Sequence, residues 1–424
     1  MKTLHITNSW HPSSGGIRTF YTALMEEANA EGHAMRIVVP AAESRLEEVG
    51  QFGRIYHVKA PRAPFSPSYR ILYPHRALLP GGAVHRIISS ERPDLVEICD
   101  KFTMNYVGGL LRTGRLPGID FRPAVVALSC ERMEQTFKTY AYEGTLARRF
   151  TKAYLRWLYF PMADHHIAVS SYVADELQAV AAGHKVDRGV WIGAMGVNAR
   201  LFASQTRDAV LRRELVARCG GDESTRLLVY AGRMAPEKNI PLLFGMMQAL
   251  AEREPQEYQL LMVGDGDGRA ELEREAERTS PGLVHFVGHR REAGELARLL
   301  SCCDAFVHPN PTEPFGIAPL EAMAAGLPLV APDSGGVVTY ANHQNAWLAV
   351  PEPAAFADAV NNIFTGPETR RRRVEEARRE AEAREWPLAA ARYLRLYREL
   401  HARVSQAGHY SLAPAFVSTR TASG

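Results

Sequence analysis

Short, continuously apolar runs alternate with helix-like stretches in two successive series along this chain, and that double rhythm sharply limits the folds open to it. LHIT (4–7), MRIVVP (35–40), DLVEI (94–98), AVVALS (124–129) and HHIAVS (165–170) make the first series. RLLVYAG (226–232), YQLLMVG (258–264), VHFVG (284–288), DAFVHP (304–309) and LPLVAP (327–332) make the second. Strands apolar on both faces belong in parallel sheets with helices on either side. The predicted fold class is therefore α/β, with two doubly wound, Rossmann-like parallel-sheet domains. A chain of 424 residues is also too long for one typical core.

The break is predicted between about 200 and 222, giving a first domain over 1–203 and a second over 222–385. Past Gly366, RRRRVEEARREAEAREW intersperses opposite charges and reads as a solvated helix. PLAAARYLRLYREL, after Trp386, is amphipathic, with Leu394, Tyr397 and Leu400 along one stripe. Residues 405–424 lack periodicity and read as a flexible tail.

No apolar run approaches the ~18 residues of a membrane span, and MKTLHITNSW enters a strand without a signal-peptide core. The expectation is a soluble, cytoplasmic protein. Its five cysteines are scattered without C-x-x-C spacing, which argues against a disulfide framework or zinc site. Residues 1–200 carry 24 Lys plus Arg against 18 Asp plus Glu, and the remainder 26 against 29. The mildly basic first half suits an anionic ligand or membrane surface and is too weak for nucleic acid.

Ligands of open α/β sheets collect at the carboxyl ends of strands, so candidate site residues are those that follow each strand. DAFVHP leads into NPTEPFG and then a helix over roughly 316–325, with Pro319 in its first turn and Gly326 at its end. Glu321 falls on the stripe of Ile317 and Leu320, and Glu313 guards the entrance. An unpaired buried carboxylate costs several kcal/mol, roughly, so Glu321 needs donors. A ligand with vicinal hydroxyls would supply them; a neighbouring backbone group or arginine would do so equally well. The helix start is a ready phosphate site, which Gly316 lets a ligand approach closely. In YAGRMAPEKN (230–239), Arg233 and Lys238 flank the turn after the first strand of the second half. There they either clamp a diphosphate or are simply solvated.

E-P-F-G-I-A-P-L-E (313–321) resembles the E-x7-E signature of retaining, nucleotide-sugar-dependent glycosyltransferases of the GT-B fold, family four, and G-R-M-A-P-E-K-N resembles their companion G-R-x-x-x-E-K motif. The resemblance spans most of residues 1–400 and is densest over 226–336. It implies that Arg233 and Lys238 bind the donor diphosphate and that Glu321 takes the ribose hydroxyls. It places Glu313 near the transferred sugar, with the N–H groups of Phe315, Gly316 and Ile317 on sugar or phosphate. His289 and Arg290 would lie near the base. Gly15-Gly16, in SWHPSSGGIRTF, match the family's glycine loop; without that context they are equally a tight strand-to-helix turn. The family also implies that residues 386–404 cross back onto the first domain.

The chain departs from the family's pattern at one strand end. Where many members place a histidine facing the donor sugar, this chain has Cys130, followed by Glu131 and Arg132, which leaves that contact unassigned. Asp100 and Lys101, after EIC, are either an acceptor contact or a structural ion pair. Asp265-x-Asp267 resembles a D-x-D metal motif, but two carboxylates in a turn seldom hold Mg²⁺ alone, so no essential metal or other cofactor is expected. LARRFTKAYLRWLYFPMADHH (146–166) is either a domain helix with one wet face or a peripheral contact with the inner membrane face; His165-His166 read as strand entry. The expected function is retaining sugar transfer from a nucleoside diphosphate donor to a hydroxyl of a glycan or lipid-linked acceptor. A hydrolase or epimerase of the same fold, and a non-catalytic nucleotide-sugar binding protein, are the alternatives.

Overall fold

Apolar strands without alternation must be covered on both faces. In the computed structural model every residue of Leu95–Cys99, Ala124–Ser129 and Tyr258–Val263 is buried. The structure describes residues 1–10, 15–63, 66–135, 144–181, 189–253 and 257–406.

The first sheet is built from β1 (Lys2–Thr7), β2 (Ala34–Ala41), β3 (Arg45–Val49), β4 (Gly53–Lys59), β7 (Leu95–Cys99), β8 (Ala124–Ser129), β9 (His165–Ala168) and β10 (Val190–Ile192). A small hairpin, β5 (Arg62–Ala63) and β6 (Ser66–Arg70), stands apart. The strand order is β10-β9-β8-β7-β1-β2-β4-β3, parallel except for the edge strand β3. The second sheet contains β11 (Arg226–Ala231), β12 (Tyr258–Val263), β13 (Val284–Gly288), β14 (Ala305–Val307), β15 (Leu329–Pro332) and β16 (Trp347–Ala349). Its order is β13-β12-β11-β14-β15-β16, and every pairing is parallel. Strand order reverses between β1 and β7 in one sheet and between β11 and β14 in the other. These are the two switch points, where a crevice opens beyond the carboxyl ends.

The chain passes between the sheets twice at one place. Val197 N donates to Arg384 O (2.9 Å), and Trp386 N donates to Val197 O (3.0 Å). From there the helix Trp386–Gln406 lies on the helix Gly15–Ala30, with the rings of Tyr393 and Phe20 4.8 Å apart. Tyr397 donates to Glu97, a wholly buried carboxylate on β7 that also bonds His5 (2.9 Å) and Tyr21 (2.8 Å). Ser405 and Gln406 are still helical, and the rest of the expected tail lies outside the described residues.

The helix Ala199–Ala203 packs on the helices Ala293–Ser301 and Ile317–Ala324. Arg207 and Arg212 both reach Asp304, at 2.8 and 3.0 Å. Residues 199–203, assigned above to the first domain, therefore pack on the second.

Candidate active site

At the second switch point two loops face each other. The one after β11 turns through Gly232, Arg233 and Met234 into a single 3-10 turn, Pro236–Lys238. Asn239, in the left-handed region (φ 52°), ends that turn and donates from Nδ2 to Pro309 O (3.0 Å) in the opposite loop. The backbone of Asp265 accepts from Met234 N (2.9 Å), and Gly264 is what permits this approach, since a Cβ there would stand 1.9 Å from Gly232 O. Asp265 and Asp267 themselves point outward as exposed residues of this bracing turn. Among the described residues no group of three or more His, Cys, Asp or Glu is placed to hold a metal.

The loop after β14 presents Glu313 to Lys238, with Nζ 2.8 Å from Oε2. Asn310 Nδ2 adds a second donor at 3.0 Å, and His308 Nε2 stands at 3.8 Å. Burial pushes the Glu313 carboxyl up, but the Lys238 charge and the hydrogen bonds outweigh it and hold the group at about 2. Burial lowers His308 to about 4, so it is neutral at physiological pH. Glu313 is thus an anion with one firm counter-charge. Lys238 keeps further N–H donors for a ligand, because an ammonium carries three.

Gly316, with φ 88°, turns the chain into the helix Ile317–Ala324, and no side chain caps that start. Tyr340 donates to the Gly316 carbonyl, and Gly336 N to the Glu313 carbonyl (2.5 Å), which locks the turn. No hydrogen-bond acceptor meets the N–H groups of Phe315, Gly316 and Ile317 among the described residues. Leu320, expected beside Glu321, is wholly buried. The less buried face is instead Ile317, Ala318, Glu321 and Ala325, so the acid, though largely buried, lies on the crevice side of the helix and not in the core with Leu320. Its carboxylate has neither a hydrogen bond nor an ion pair among the described residues, and burial alone raises it to about 7. Arg233 pairs with Glu237 and stays 43% exposed. An exposed pair of this kind is worth ~0–1 kcal/mol and is easily redirected.

The first domain meets this site directly. A side chain on Gly16 would lie 3.4 Å from Ile317 Cδ1, and Ser170 Oγ donates to Pro314 O (2.5 Å). The helix Gly15–Ala30 begins here, so two helix amino ends converge on the crevice. Residues 11–14, the start of the glycine-bearing loop, lie outside the described residues. Asp100 serves the backbone of its own turn, where Oδ1 accepts from the N–H groups of Phe102, Thr103 and Met104 while Oδ2 accepts from Asn8. Cys130 Sγ is 3.7 Å from Cys99 Sγ, and that thiol and burial push Cys130 well up. Glu131 takes part through its carbonyl, which accepts from Lys101 Nζ. Lys101 in turn pairs with Glu176 (3.2 Å), whose carboxylate also accepts Met133 N and Glu134 N. His289 is exposed and Arg290 half-buried after β13, with no contact described to the other site residues.

His308 and Asn310 behind β14, Ser170 behind β9 and Gly335-Gly336 behind β15 were not among the expected site residues, although each follows a strand end; Glu176, inside the helix Ser171–Ala181, carries no such signal.

Two Rossmann-like parallel-sheet domains facing a crevice, with an uncapped helix start and an unpartnered acid on its wall, have the architecture of the GT-B fold. Two family models match: Glycosyltransferase Family 4 over residues 14–187 and Glycosyl transferases group 1 over 212–380. The chain belongs to this family and is a glycosyltransferase. It is 29% identical over 401 residues to a GDP-mannose-dependent alpha-(1-6)-phosphatidylinositol dimannoside mannosyltransferase of Mycobacterium tuberculosis, covering 93% of this chain and 95% of that one. A GDP-mannose-dependent alpha-mannosyltransferase of the same species is 27% identical over 94% and 96% of the two chains. Among solved structures, sucrose-phosphate synthase from Thermosynechococcus elongatus shares the fold at TM-score 0.75 and 22% identity, with 95% and 100% coverage.

Proposed function

We propose that this enzyme moves a mannosyl unit from GDP-mannose to a hydroxyl of a lipid-linked acceptor, with retained anomeric configuration and without an essential metal. The two mycobacterial relatives support the donor, and the first of them supports the lipid character of the acceptor. What carries the reading is the grouping at the second switch point: the Lys238–Glu313 pair, the uncapped helix start at Gly316 and the unpartnered Glu321.

In this reading Glu321 receives the ribose hydroxyls, while Lys238, Arg233 and the N–H groups of Phe315, Gly316 and Ile317 surround the diphosphate. The acceptor hydroxyl approaches the sugar C1 from the face that the diphosphate leaves. The bond from C1 to the β-phosphate oxygen breaks as the new C1–O bond forms, and the acceptor proton passes to that phosphate oxygen. The cations stabilise the charge that grows on the departing diphosphate. The first domain would present the acceptor, and the enzyme would work at the inner face of the membrane.

Thermal shift with GDP-, UDP- and ADP-sugars tests the donor, since ligand at 100 times its Kd stabilises the fold by ~2.7 kcal/mol. GDP-mannose should give the largest shift, and GDP should then appear together with mannosylated phosphoinositide-type acceptor. Free mannose released at full rate without any acceptor would overturn the transfer reading.

A further inference from the structure

The crossover from β8 to β9 turns an unusual face to the outside. Phe150, Trp157 and Leu158 are 57, 61 and 45% exposed, while Thr151, Leu155, Tyr159 and Phe160 fill the inner side. These side chains stand on the helix Thr145–Tyr154 and on the π turn Leu155–Tyr159 that continues it, with Phe160 opening the 3-10 turn Phe160–Met162. Arg148, Arg149 and Lys152 are exposed beside them, and the Arg156 guanidinium lies 5.1 Å from the Trp157 ring centre. No carboxylate occurs between Thr145 and Ala163. Exposed aromatics on a segment whose own charged residues are all cationic differ from the mixed charges of an ordinary wet helix face.

The position of this face matters as much as its composition. Phe150 packs near Tyr154, with ring centres 6.3 Å apart, and Tyr154 donates to the Lys101 carbonyl at 2.8 Å. Lys101 lies just past the carboxyl end of β7, at the switch point of the first sheet, and its neighbour Phe102 is itself 39% exposed. The apolar and cationic stripe therefore starts at the mouth of the crevice on the first-domain side.

We infer that the face carrying Phe150, Trp157 and Leu158 with Arg148, Arg149, Lys152 and Arg156 docks on an anionic lipid bilayer and holds the acceptor side of the crevice at the membrane surface. The aromatic and leucine side chains enter the boundary between headgroups and chains, and the cations meet lipid phosphates. No helix among the described residues is long and apolar enough to cross a membrane, so attachment would be from one side. The inference rests on the lipid-linked acceptor reading for its purpose, though not for its test.

Flotation with vesicles of phosphatidylcholine alone, and of phosphatidylcholine mixed with phosphatidylglycerol, decides it on the full chain. The wild type should float with the anionic vesicles, less with the neutral ones, and less at high salt. Phe150→Ser with Trp157→Ser, and separately Arg149→Glu with Lys152→Glu, should each lower anionic-vesicle binding by about tenfold or more. Both variants should keep the wild-type thermal shift with GDP-mannose, which shows that they fold. Wild type that ignores anionic vesicles overturns the inference, as do variants that bind them equally well. So does Trp157-dependent self-association without vesicle binding, which would assign the face to a second copy. Loss of the GDP-mannose shift in the wild type would instead sink the donor assignment and leave the vesicle result to stand by itself.

Discussion

Lys238 and Glu313 sit 2.8 Å apart on the floor of the crevice, so removing either partner has two effects at once. Lys238→Ala should cost ~2–4 kcal/mol of transition-state stabilisation, seen mainly in kcat for sugar transfer. A wild-type rate would refute the diphosphate clamp. It also strips Glu313 of its counter-charge. The folded carboxyl lies at about 2 against an ordinary 4.5, so its contribution to stability is present above 4.5 and lost as pH falls towards 2. Urea titrations of Lys238→Ala should show that acid-side loss reduced. Glu321 has the opposite sign. Raised to about 7, it favours the fold below 4.5, and this is lost as pH rises through 7. Unliganded Glu321→Gln should therefore gain on the wild type between about pH 5 and 8, yet bind the nucleotide-sugar donor more weakly. Equal pH profiles for the two proteins would mean that the acid is not desolvated in solution.

The elements of the site are braced by contacts that local sequence does not announce. The segment Cys130–Glu134 is held by Lys101 and Glu176, which are both buried and come from the end of β7 and from the helix Ser171–Ala181. Breaking such a pair leaves a charge without a partner and costs ~3–5 kcal/mol. Lys101→Met should lower stability by that amount in urea melts, and an unchanged midpoint would show that Glu176 finds another donor. Sequence alone made the strand–loop–helix units of 226–240 and 304–326 legible, because motif spacing and the glycine and proline positions are local properties. It did not reveal Gly264, whose need for glycine comes from the carbonyl of Gly232 on a neighbouring loop. It also misplaced one neighbour of Glu321, Leu320, while placing Ile317 on the same face. A stripe of Ile317, Leu320 and Glu321 satisfies helical periodicity, but only packing decides that Leu320 faces the core while Ala318 and Ala325 share the open side.

At the scale of the whole molecule, the two sheets are tied where Val197 meets Arg384 and Trp386, and across the crevice where Ser170 meets Pro314. Motion about the first tie would open or close the second, the usual way a cleft admits its substrate. Ser170→Ala should leave the fold intact while shifting the unliganded protein towards an open form, read as a larger radius of gyration in small-angle scattering. Saturating donor and acceptor should restore the compact value, and no difference from wild type would show that this contact does not gate the crevice. Apolar runs and their spacing determined by themselves that the chain makes two parallel sheets and that chemistry gathers behind β11 and β14, since both follow from periodicity and strand ends. Tertiary structure alone decided that Lys238 meets Glu313, that Glu321 opens on the crevice without a partner, and that Trp157 lies outside. Each of those depends on which distant segment occupies the space beside a residue, and a linear pattern carries no information about that.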